Sequence, residues 1–82
     1  MTVRPEEVLA VVDRIKPLLR GHQPELQGAV LAELLSIWLA GHVVRGDARA
    51  TQMLRAELLA KHIAAVRELT EVNAAVMGTA PV

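Results

Sequence analysis

From residue 26 to residue 44 the chain reads LQGAVLAELLSIWLAGHVV, an almost unbroken apolar run that also holds its one aromatic residue, Trp38. Placed on a helical wheel, this run leaves only a narrow polar strip at Glu33 and Ser36, flanked by the small residues Ala29 and Ala40. Val30, Leu34 and Ile37 fall to one side of the strip, and Leu31, Leu35, Trp38 and Leu39 to the other. A helix that is apolar around most of its circumference belongs at the centre of a helical assembly, where partners cover it from two sides.

The flanking segments supply those partners. Upstream, Pro5 followed by Glu6 and Glu7 is a helix start, since proline suits the first turn and carboxylates complement its positive end. Val8, Val11, Val12, Ile15 and Leu19 then recur at spacings of three and four, with Asp13, Arg14, Lys16 and Arg20 elsewhere on the wheel. Pro17 removes a backbone donor and disfavours helix at Lys16, so a kink or an end is expected there, in a helix spanning about 5–19. Gly21-His22-Gln23-Pro24 reads as a stop, a turn and a new start, and the second helix is expected over 25–43. Gly46 and Asp47 then form a turn with an N-cap, opening a third helix over 48–76, about 40 Å long. Residues 77–82 read as a frayed tail.

On the third helix Glu57, Lys61, Ala64, Glu68 and Glu71 share an outward face, with Glu57 and Lys61 in the favourable order for an i,i+4 ion pair. Leu58, Leu59, Ile63, Val66, Leu69 and Val76 form the opposite face. That face is interrupted by Arg55, His62 and Asn73 near its centre and by Gln52 and Thr70 at its edge, the one break in the binary pattern. The fold class that follows is all-α: a single helical domain over 1–82, built as a small three-helix antiparallel bundle or a helical hairpin assembly. Its expected interface residues are Leu31, Leu35, Trp38, Leu39, Leu59, Val66 and Leu69.

Composition sharpens this picture. The chain is 52% hydrophobic, which excludes a disordered polymer, yet it contains no Phe or Tyr. Eighty-two residues packed with Leu, Val, Ile and Ala make a core near the lower limit of self-sufficiency, so a homodimer is expected. Nine basic residues balance nine acidic ones and are scattered singly, which disfavours nucleic-acid binding. The absence of cysteine excludes disulfides, thiolate metal sites and cysteine nucleophiles. The start MTVRPEEV lacks the basic and apolar regions of an export signal, so a cytoplasmic location is expected, and seven Arg against two Lys resembles GC-rich bacterial coding.

Candidate chemistry is sparse. His22, His42 and His62 are evenly spaced, but His22 and His42 lie at opposite ends of the central helix, roughly 30 Å apart. A hairpin turning near Arg45 and Gly46 sets His62 beside Val30, about 18 Å from His42, so no metal site is expected. In that register Arg55 lies near Ser36 and Trp38, where its guanidinium could stack on the indole. Arg55, His62 and Asn73 are therefore read as fixing the register of a helix or subunit seam, or alternatively as lining a polar pocket for an anionic ligand at a subunit interface. Arg45-Gly46-Asp47 matches an integrin-recognised tripeptide and is read as a plain connection. A membrane span over 26–44 would bury Glu33 at about 2.5–3.5 kcal/mol, whereas a soluble core helix needs no such cost. No glycine-rich phosphate loop, serine elbow, paired carboxylates or zinc motif is present. The expected function is a non-enzymatic protein–protein interaction or assembly module that needs no cofactor and whose partner is itself or another protein.

Overall fold

A computed structural model describes residues 3–81; Met1 and Thr2 of the N-terminal segment and Val82 of the tail lie outside the described residues. The described chain is all-helical, with α1 over Pro5–Leu19, α2 over Pro24–Ala40 and α3 over Ala48–Met77. It divides into two compact units, Met1–Leu34 and Leu35–Val82, whose boundary falls inside α2.

In the first unit, α1 starts from an extended Arg4 that offers no side-chain cap. Pro5 supplies the first-turn residue whose missing N–H costs nothing there. The helix does not stop at Pro17 but runs two residues beyond it, to Leu19. The lost donor frees only the carbonyl of Asp13, an exposed residue where water can take the place of the missing bond. Gly21, at φ 85°, then turns the chain, and α2 opens on Pro24 itself, one residue earlier than expected. Gln27, in the first turn of α2, reaches back and donates from Nε2 to the Leu19 carbonyl at 2.8 Å. It thereby gives the Leu19 carbonyl a second donor beside the His22 N–H at 3.3 Å.

The second unit differs more from expectation. The second helix ends at Ala40, not at residue 43. Residues 42–44 are non-helical, and Gly46 turns the chain at φ 75°. Asp47 caps α3 by accepting from the Ala50 N–H at 2.9 Å. The connecting segment lies along the first turns of α3: Val44 N–H donates to Thr51 Oγ1 at 2.9 Å, and Arg55 Nε donates to the His42 carbonyl at 3.0 Å. The two partner pairs keep step because two residues of extended chain advance about 6.6 Å and four helical residues about 6 Å. A connection that consumes length at twice the helical rate shifts the hairpin register, so Trp38, and not Val30, comes beside His62.

At its far end α3 closes on Gly78, at φ 74°, with Thr79 N–H donating to Ala74 O at 2.8 Å and Gly78 N–H to Ala75 O at 3.4 Å. Gly78 and Thr79 thus form a left-handed helix cap and are not part of a frayed tail. The interior is the main departure. Among the described residues no apolar side chain is buried, and Thr51, 8% exposed, is the only buried residue of any type. Val12 and Leu19 in the first unit, and Leu35, Leu39, Leu54 and Leu58 in the second, are half-buried. Each unit is therefore a helical corner stitched by side chains bonded to backbone, and its aliphatic faces remain largely open.

Candidate functional site

The polar residues that interrupt the apolar face of α3 separate into three environments. Arg55 is occupied at the end of α2, where Nε and Nη2 donate to the carbonyls of His42 at 3.0 Å and Ala40 at 2.9 Å. The stacking on Trp38 expected from the all-helical hairpin is replaced by this role, because a broken helix end exposes carbonyls that a forked cation satisfies better than a ring face does. His62 packs one turn-pair further along, its ring centroid 4.6 Å from that of Trp38. His42 meets the same indole, edge-on, also at 4.6 Å, which corrects the 18 Å separation of His42 and His62 inferred from an uninterrupted hairpin. Each imidazole donates from Nδ1 to the carbonyl four residues back, His42 to Trp38 at 2.7 Å and His62 to Leu58 at 3.1 Å, since a carbonyl can only accept. These bonds orient both rings against Trp38, which stays 41% exposed.

Asn73 stands apart from the other two. Eleven residues beyond His62 on one helix is about 16 Å. Asn73 lines a shallow hollow of about 370 Å³ with Val66, Leu69, Thr70, Ala74, Met77 and Thr79. The three residues read as one anion pocket are not brought together within the chain, and the guanidinium that would bind the anion is already committed to carbonyls. Among the described residues no group of three metal-ligating side chains converges.

What the structure does present is apolar surface. In the first unit a groove of about 330 Å³ is walled by Ile15, Leu18 and Leu19 of α1 and by Leu26, Val30 and Leu34 of α2, with His22 and Gln27 beside them. In the second unit Leu59, Val66 and Leu69 are 37%, 58% and 57% exposed. Of the seven expected interface residues, Leu35 and Leu39 are half-buried and the other five, including Leu31 and Trp38, are exposed. The residues that hold this arrangement, Thr51 and Gln27, escaped sequence reasoning. Thr51 looks like an ordinary first-turn helical residue, and the only hint of its role is its place four residues after the Asp47 cap. Comparison with protein-family models, with curated proteins and with solved structures finds no match to this chain. No helix among the described residues is long and apolar enough to cross a membrane; α2, the most apolar, has 17 residues.

Proposed function

We propose that this chain is a cytoplasmic, non-catalytic helical assembly module that associates with itself and offers a helical surface to a protein partner. The observation that carries this reading is the absence of any buried apolar side chain among the described residues, in a sequence that is 52% hydrophobic. Exposed aliphatic side chains gain about 1.5–3 kcal/mol each on full burial, so a solution state that leaves all of them in water is the costly one. Within one chain Arg55, His62 and Asn73 do not converge, so a ligand-binding bundle would need a second subunit to complete its pocket.

Sedimentation equilibrium from one to one hundred micromolar tests the proposal. The expected mass is at least twice the 8.9 kDa of one chain. A mass of one chain throughout that range, together with no protein co-purifying from the native cell, would overturn it.

A further inference from the structure

The distal half of α3 carries a periodicity that the interrupted apolar face disguises. Leu59, His62, Val66, Leu69, Asn73 and Val76 follow one another at spacings of three, four, three, four and three, the a and d positions of a heptad. Lys61, Arg67, Glu68 and Glu71 all fall at b, c or f, on the far side of the helix. The e and g positions hold Ile63, Ala65, Thr70, Val72 and Met77, none charged. The proximal part of the seam is occupied within the chain, where Trp38 packs on His62. Beyond it the face is bare: Val66, Leu69 and Val76 are 58%, 57% and 81% exposed. The Asn73 carboxamide lines the hollow on that face and has no hydrogen-bond partner within the described chain.

We propose that the occupant of this face is the same face of a second copy, the two α3 helices lying parallel and in register over residues 63–77 with Asn73 opposite Asn73. This inference rests on the assembly reading and specifies its geometry. The face belongs to α3 alone, and α3 offers the longest uncovered apolar stripe of the second unit. Val at an a position with Leu at the next d position favours two strands. With no charges at e and g to set orientation, the decision falls to Asn73. In a parallel pair its amide meets an identical amide, which can both donate and accept. In an antiparallel pair over the same residues it meets Leu69, and a buried amide is left unsatisfied. The other antiparallel register sets Asn73 against His62 of the second copy and would have to displace Trp38 from that imidazole.

Cysteine cross-linking separates these arrangements, because the chain has no cysteine of its own. Val76→Cys sits at a d position and Ala75→Cys, one residue away, points outward; both are on exposed surface, and circular dichroism verifies that each variant keeps its helix content. At tens of micromolar under mild oxidation, Val76→Cys is expected to form the covalent dimer at least tenfold faster than Ala75→Cys. Equal rates for the two, or a preferred cross-link between Leu59→Cys and a differently tagged Val76→Cys in a mixture, would overturn the parallel pairing. If the unmodified chain sediments as a dimer and those outcomes occur, this geometry fails and the assembly reading stands; if the unmodified chain is a monomer, both fail. As an independent readout, Asn73→Val is expected to tighten association while admitting species larger than a dimer, and unchanged mass and affinity would count against Asn73 as the register device.

Discussion

Thr51 is the only buried residue in the described chain, and removing its hydroxyl without changing its shape isolates what holds the second unit together. Its Oγ1 accepts from the Val44 N–H at 2.9 Å and donates toward the Val44 carbonyl at 3.1 Å or the Asp47 carbonyl at 2.9 Å. Thr51→Val keeps the β-branched outline and deletes these bonds. The two carbonyls retain other donors, since Asp47 N–H bonds Val44 O at 3.1 Å and Thr51 N–H bonds Asp47 O at 3.0 Å. Only the Val44 N–H loses its sole partner, and an orphaned, part-buried donor costs about 1–3 kcal/mol. Since Val44 is itself 39% exposed, water can approach and the lower half of that range applies, about 1–2 kcal/mol. For a domain of this size each kcal/mol moves Tm by about 4–8 °C, so Thr51→Val should melt about 4–16 °C lower. Thr51→Ser keeps the hydroxyl and loses one methyl group, about 0.8 kcal/mol, and should melt between the two. The assay is thermal unfolding followed by circular dichroism at one fixed protein concentration, because association raises Tm by mass action. A Thr51→Val protein that melts within 2 °C of the parent, or above Thr51→Ser, would refute the reasoning. Faster hydrogen exchange at the Val44 amide should accompany the loss.

Arg55→Met preserves the aliphatic stem of the side chain but frees the carbonyls of Ala40 and His42; a loss of about 1–3 kcal/mol in chemical denaturation is expected, and a change under 0.5 kcal/mol would remove Arg55 as the clamp on the end of α2. Gln27→Ala should cost about 1 kcal/mol and speed hydrogen exchange in the Gly21–Gln23 turn that follows α1, whereas unchanged exchange there would show that the bond to Leu19 is dispensable. Asp47→Ala removes the cap on α3 and should cost about 0.5–2 kcal/mol by the same denaturation assay, an effect that Asp47→Asn should largely rescue. Lys61→Ala breaks only a solvent-exposed pair with Glu57 at 3.3 Å and should change stability by less than 0.5 kcal/mol; a larger effect would mean that the residue is covered in the assembled protein.

Where α1, α2 and α3 begin was legible in the sequence, because helix starts are written locally: Pro5 with Glu6 and Glu7, Pro24 with Glu25, and the Asp47 cap behind Gly46 each satisfy or tolerate unpaired N–H groups within a few residues. The all-helical class followed from apolar spacing, and the Glu57–Lys61 pair from the i,i+4 order of its charges. The end of α2 was not legible. Gly41 and Gly46 bracket the possible end, but the apolar run continues to Val44 and does not choose between them; what leaves residues 42–44 non-helical is the competing offer of Thr51 and Arg55, seven to fifteen residues away, for backbone groups there. That extended segment set the register, and the register brought His42 and His62 to Trp38 while giving Arg55 to carbonyls and leaving Asn73 alone. Periodicity reports which side of a helix is apolar, a property of neighbours along the chain. Whether that side is covered, and by what, depends on backbone bonds made across the turn, and for this protein they leave the apolar faces open.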